Sequence, residues 1–325
     1  MEQVSNKVIE NDVITEKQRK SQKRRAEFKR YLPLFLMMAP GLIYLIINNY
    51  LPMFGLVVAF KDVNYSVGIL ASDWVGWENF RYLFATRDAY VITRNTILYN
   101  VAFIIINTVL AVALAIMLNE IKSKFAARFY QSAILLPFLI SMVVVSYLVY
   151  AFLSVESGFI NNTILPMFGL DSVPWYSEAS FWPYILTIVS TWKGVGLLCV
   201  VYLAAIVGIN KDYYEAAELD GASKWQQIRY VTVPLIMPII IIMTLLAIGK
   251  IFYSDFGLFF QVPMNSGALY ETTNVIDTYV YRALMQLGDI GMSAAAGLYQ
   301  SFVGFILVIL SNWAVRARDK DSALF

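Results

Sequence analysis

Lys193, Lys250 and Asp255 are ionisable side chains set inside stretches that are otherwise apolar. Charge in hydrocarbon is expensive and is kept where it faces a protein interior or a polar passage. Amides, hydroxyls and rings accompany these charges at helical spacing. At about 100° per residue, Lys250, Tyr253, Ser254 and Gly257 share one helical face, and Thr96, Tyr99, Asn100, Phe103 and Asn107 share another. Such stripes suit a ligand with apolar ring faces and many hydroxyl groups. They equally suit hydrogen bonds and ion pairs between helices, within the chain or across to a partner, and the residues alone leave both readings open.

Bond-making chemistry lacks its groups. The chain has no histidine, which removes an imidazole base, a His-ligated zinc and a Ser-His-Asp triad. No segment fits the G-x-x-x-x-G-K-[ST] phosphate cradle. Gly194-Val195-Gly196 lies in an apolar run, where close helix packing explains it better than nucleotide binding. Cys199 is the lone cysteine, so an internal disulfide is impossible, and it reads as a small buried apolar residue. Neither a catalytic residue nor a metal ligand is expected.

The elements that must position these residues are membrane spans. Of 325 residues, 59% are hydrophobic and 15% charged, against about a quarter charged in soluble domains; the mean hydropathy is +0.61. Apolar runs of the roughly 20 residues that cross a bilayer lie near 32–57, 96–118, 129–153, 182–207, 235–260 and 292–315. The reading is an all-α membrane protein of six transmembrane helices forming one domain over 32–315. Lys193 falls near the middle of the fourth span, and Lys250 and Asp255 in the outer half of the fifth.

Orientation follows from Lys and Arg, which collect on the cytoplasmic side. With the N-terminus inside, the cytoplasmic segments hold the basic arm 1–31, then Lys122, Lys124 and Arg128, then Lys211, Lys224 and Arg229, then Arg316, Arg318 and Lys320 of the tail 316–325. The opposite side holds Lys61, Arg81, Arg87, Arg94 and Arg282. Both termini are therefore expected in the cytoplasm. The basic arm reads as a topology anchor.

The outer connections carry structure of their own. "DWVGWENFRYLF" within 60–94 has the aromatic content of the headgroup region and predicts an interfacial helix. "NVIDTYVYRALMQLG" within 261–291 predicts a short amphipathic helix, and 154–181 lacks Lys and Arg but has Trp175 and Tyr176. Membrane anchoring and a platform for an external partner both account for them. For the platform, Glu156, Asp171, Glu178, Glu271 and Asp277 would supply acidic contacts.

Segment 208–234, with "EAAELDGASKWQQIRYVTVP" at 215–234, is too polar for lipid and is cytoplasmic in this topology. Glu215, Ala216, Ala217 and Leu219 favour a helix, Gly221 breaks it, and Lys224 to Val231 resume a second one before Pro234 opens the fifth span. Trp225, Ile228 and Tyr230 need protein to cover them. The predicted shape is a compact docking element.

Glu215-Ala216-Ala217, Gly221 and Val231-Thr232-Val233-Pro234 resemble the E-A-A signature of the membrane-spanning subunits of bacterial ABC importers, with Val231 and Val233 in place of Ile and Leu. "YLPMFGLVVAFKD" at 50–62, "WVGWENF" at 74–80, "YEAAELDGASKWQQI" at 214–228 and "VIDTYVYR" at 275–282 are similar to the carbohydrate-importing branch, and within it to permeases for polysaccharide-derived oligosaccharides. The resemblance implies a binding-protein-dependent sugar importer in the bacterial cytoplasmic membrane. It also implies a non-catalytic permease that pairs with a second permease, such as a paralogue, with two ATPase subunits that bind ATP and Mg, and with an extracytoplasmic solute-binding protein. Membrane lipid is expected around it, with no nucleic-acid partner and no cofactor held by this chain itself. Glu215, Ala216, Ala217, Asp220, Gly221 and Pro234 would form the ATPase-coupling helix, with Glu215 facing basic groups and Gly221 as the bend. Asn100, Asn107, Lys193, Lys250, Tyr253 and Asp255 are the candidate substrate path. A permease for a non-sugar solute such as peptides, or a secondary transporter, is the alternative.

Overall fold

The computed structural model describes residues 30–318. The basic arm before Arg30 and the tail after Arg318 lie outside the described residues. The first span, α1, runs Arg30–Phe60. A π-helical turn at Ile46–Tyr50 precedes Pro52 and accommodates the missing N–H donor, and the helix tightens to a 3-10 form over Phe54–Phe60.

A small hairpin follows, β1 Lys61–Asp62 against β2 Asp73–Trp74, with Lys61 opposite Trp74. It departs from the all-helical expectation because strands of two residues carry no readable period. Lys61 Nζ closes the connecting loop by donating to the carbonyls of Leu70 and, at 3.1 Å, Ser72. Phe60 stacks on Trp74 with centroids 5.7 Å apart. The amphipathic helix expected next is α2, Glu78–Ala85, which buries Leu83 with Ile92, Phe252, Ile276 and Ala296.

α3, Arg87–Asn119, has 33 residues and is about 50 Å long at 1.5 Å per residue. It starts well ahead of its apolar part, so its first turns extend past the hydrocarbon. The third apolar run is not one straight helix. α4, Lys124–Leu139, and α5, Met142–Leu153, meet at 96°. Pro137 weakens the last turn of α4, and Ser141 starts α5 by accepting the Val144 N–H at 3.4 Å.

α6, Trp182–Val207, has the expected bounds. α7, Asp212–Leu219, is short. α8 runs Lys224–Ile248 and absorbs Pro234 through a π-helical turn at Ile228–Thr232. The fifth span therefore starts earlier than 235 and leaves the helix at Gly249, before a π-helical turn at Gly257–Gln261. α9, Ile276–Met285, is the amphipathic helix expected in 261–291, and α10, Ile290–Arg318, is the last span. Among the described residues, five helices are long and apolar enough to cross a membrane, or six if α4 and α5 make one broken span.

Packing is densest where small residues let backbones approach. Ala111 and Ala115 of α3 and Cys199, Tyr202 and Ile206 of α6 are buried together. A Cβ on Gly196 would lie 2.1 Å from the Ile134 carbonyl oxygen, so glycine there sets the contact of α6 with α4, the packing role expected of it. A second cluster joins Tyr99, Val145, Val149, Trp182, Leu186 and Phe259.

Candidate functional site

The polar segment forms an elbow between α7 and α8. The Gly221 N–H reaches the Glu218 carbonyl at 3.0 Å and the Ala222 N–H reaches Ala217 at 2.9 Å. This Schellman closure needs a left-handed residue, and Gly221 has φ +79°. Ser223 then caps α8 reciprocally: its Oγ accepts the Gln226 N–H at 3.4 Å, and Gln226 Oε1 accepts the Ser223 N–H at 2.7 Å. Lys224 pairs with Glu218 across the bend at 3.1 Å and holds that carboxyl below the usual range. The Tyr214 hydroxyl and Thr232 Oγ1, 2.9 Å apart, tie α7 to α8. The second short helix expected here is no separate element but the start of α8, because the π-helical turn carries the helix through Pro234.

The elbow presents Glu215, Ala216 and Asp220 to its surroundings. Leu219 is 90% and Trp225 69% exposed. Large apolar side chains held out beside charges are a feature of surfaces that meet other proteins.

The candidate path residues do not form one stripe. Lys193 Nζ donates to the carbonyls of Phe138 at 3.2 Å, Pro137 at 3.4 Å, and Ile140. It thus caps the carbonyl end of α4 at the break before α5, where a cation is favoured. Lys250, Tyr253 and Asp255 lie beyond the end of α8, so the helical face expected for Lys250, Tyr253, Ser254 and Gly257 does not exist. Gly249 starts this unwinding, and side chains from other helices satisfy the backbone it frees. Asn100 Nδ2 donates to Ile251 O at 2.9 Å, Gln300 Nε2 to Phe252 O at 2.6 Å, and the Ser254 N–H to Asp277 Oδ2 at 2.7 Å. Lys250 is exposed. The Tyr253 hydroxyl meets Ser301 Oγ at 3.2 Å, and Asp255 Oδ1 accepts the Leu258 N–H at 3.1 Å. On α3, Asn107 keeps a buried Oδ1 without a partner among the described residues.

Gln300 and Asp277 are the members of this cluster that sequence reasoning missed as such. An amide within the apolar run of α10 was the available signal for Gln300. Asp277 corrects the acidic docking set: its carboxylate turns inward to Ser254 and to Gln300, at 3.2 Å, and burial raises its pKa. Glu156, Asp171, Glu178 and Glu271 remain exposed.

Comparison with known proteins places this architecture. Residues 107–320 match the family described as binding-protein-dependent transport system inner membrane component. Protein LplB of Bacillus subtilis (strain 168) is 32% identical over 297 residues, 91% of this chain and 92% of that one. The polygalacturonan/rhamnogalacturonan transport system permease protein YteP of the same organism is 34% identical over 281 residues, 86% of each. A crystal structure of a bacterial ABC transporter involved in the import of the acidic polysaccharide alginate superposes with TM-score 0.83 and 32% identity, covering 90% of this chain and 98% of that one. A bacterial alginate ABC transporter in complex with alginate pentasaccharide-bound periplasmic protein gives 0.81 and 32%, over 90% and 96%. The chain belongs to the family of binding-protein-dependent transport system inner membrane components.

Proposed function

We propose that this chain is the non-catalytic, membrane-spanning subunit of an ATP-driven importer that takes up an oligosaccharide delivered by an extracytoplasmic binding protein. The observation that carries this reading is the similarity, over nine-tenths of the chain, to the alginate importer, together with relatives named for polygalacturonan/rhamnogalacturonan and for arabinooligosaccharide transport. A second permease and two ATPase subunits complete the machine, and ATP and Mg bind to the ATPases. Both termini and the elbow face the cytoplasm.

The elbow is the coupling helix. Its Schellman closure, capping box and Glu218–Lys224 pair make it stiff enough to transmit force into α8, and its exposed Glu215, Leu219 and Trp225 meet the ATPase. Ala216, Ala217, Asp220 and Gly221 shape that surface, and Pro234 lies where the elbow passes into the span. Closure of the ATPase dimer on ATP and its reopening after hydrolysis rock the permease pair between outward- and inward-facing states. Asn100, Asn107, Lys250, Tyr253 and Asp255 border the path, while Lys193 shapes it by fixing the α4–α5 bend.

The test is uptake into proteoliposomes holding the permease pair, the ATPases and the binding protein. Accumulation of oligosaccharide that needs both ATP and binding protein is expected. Accumulation of peptides instead, or uptake without ATP, overturns the reading.

A further inference from the structure

A cleft of about 390 Å³ opens between the first turn of α3 and residues 270–287. Every residue on its walls lies outside the apolar runs, at the end of α3 opposite Asn119, where α3 leaves the bilayer. Its floor is Arg282, 9% exposed. The Arg282 guanidinium donates to Asn265 Oδ1 at 3.0 Å, to Thr278 Oγ1 at 3.4 Å, and to Asn274 Oδ1, and it lies over the Tyr270 ring at 4.2 Å. Asn265 reaches it from a loop in which Met264 and Asn265 have φ 55° and 48°. Side chains adopt that left-handed region at a cost, and such positions cluster at ligand sites. The guanidinium is therefore held in place by its surroundings before any ligand arrives.

The walls above this floor are chemically mixed. Arg87 and Arg282 face Asp88 and Glu271, so formal charge cancels, and Arg87 lies 3.8 Å from Glu271 in a pair that is solvent-exposed. Tyr270 and Tyr279 supply ring faces, and Gln286 supplies an amide at the rim. Carboxylates accept from hydroxyls, guanidinium and amide groups donate to them, and rings cover the apolar face of a pyranose or furanose. Zero net charge gives the site no long-range preference for an anionic ligand. The volume is near the lower end for small-molecule pockets, about 300–1,000 Å³.

We propose that this cleft binds a neutral sugar unit of the arriving oligosaccharide at the outer mouth, before the chain enters the membrane path. The inference rests on the orientation and the oligosaccharide reading given above. It adds a binding site formed by Asp88, Tyr270, Glu271, Tyr279, Arg282 and Gln286, separate from the intramembrane residues.

The experiment uses the permease–ATPase complex in lipid nanodiscs without binding protein. Saturation-transfer difference NMR is recorded with galactotriose, arabinotriose and maltotriose, and with trigalacturonate. At least one neutral trisaccharide is expected to give signals. These should fall about fivefold or more in Gln286→Ala and Asp88→Asn, as loss of one hydrogen-bonding partner predicts, and both residues are exposed. Transport KM in the full system should rise by a similar factor with the maximal rate unchanged. Absence of signal from all three neutral sugars, equal signal in wild type and variants, or preference for trigalacturonate overturns the assignment. So does weaker stimulation by unliganded binding protein in the variants with no sugar signal, which would make the cleft a seat for a protein side chain. Normal uptake in both variants defeats the cleft alone, whereas failure of the wild-type system to import any oligosaccharide defeats the functional reading beneath it.

Discussion

Lys193 Nζ donates to the Phe138 carbonyl at 3.2 Å, and this contact joins the middle of α6 to the end of α4 where the third apolar run bends by 96°. The ammonium sits where α4 can no longer supply its own donors. Its charge thus serves the bend, and through it the path proposed above.

Lys193→Met is expected to destabilise the complex by about 1–3 kcal/mol, the cost of buried polar groups left without a partner, while Lys193→Arg keeps part of the cap. Thermal unfolding in detergent measures it. An unchanged midpoint in Lys193→Met combined with a raised transport KM would show direct substrate contact instead.

Gly196→Ala and Gly194→Ala form a contrasting pair. A Cβ at 196 meets the Ile134 carbonyl oxygen at 2.1 Å, whereas at 194 the nearest atom is Asn107 Nδ2 at 3.8 Å. Overpacking of this kind costs about 1–3 kcal/mol, so yield of folded Gly196→Ala should fall and that of Gly194→Ala should hold. Equal yields of the two would refute the close α4–α6 contact.

Asp277 carries a pH signature. Burial raises its folded-state pKa above the ordinary aspartate value of 3.8. Its protonated form is therefore favoured on folding: this contribution is full below pH 3.8, and is lost as pH rises through the folded pKa. The Asp255 charge nearby acts in the same direction. Asp277→Asn should flatten that part of the pH–stability profile. Asp277→Ala, which strands the Ser254 N–H and removes one of the Gln300 amide's two partners, should cost about 1–3 kcal/mol. A profile identical in wild type and Asp277→Asn would contradict the assignment.

At the elbow, Gly221→Ala must place a Cβ at φ +79°, a strain of about 1–2 kcal/mol. Glu215→Lys, at an exposed position, should leave folding alone yet lower ATPase association or binding-protein-stimulated hydrolysis severalfold, as reversal of a charge at an interface does. Full hydrolysis at normal expression in Glu215→Lys would remove this residue from the coupling surface.

How far the sequence reached is clearest in particular residues. Trp182 to Val207 as a span, the bend at Gly221, the buried Cys199 and the amphipathic helices at 78–85 and 276–285 were all legible. Each is declared within its own segment, by hydropathy, helical period or the left-handed preference of glycine. By itself the sequence determined a multi-pass helical membrane protein with a polar elbow, because apolar run length and turn chemistry are local properties. Only the tertiary structure decided that the third apolar run bends under Lys193, that α8 passes through Pro234 and ends at Gly249, and that Asp277 and Gln300 turn inward onto the unwound chain. Those outcomes depend on which donor from a distant helix reaches a freed carbonyl, as Asn100 reaches Ile251, and a pairing across 151 positions leaves no periodic trace along the chain.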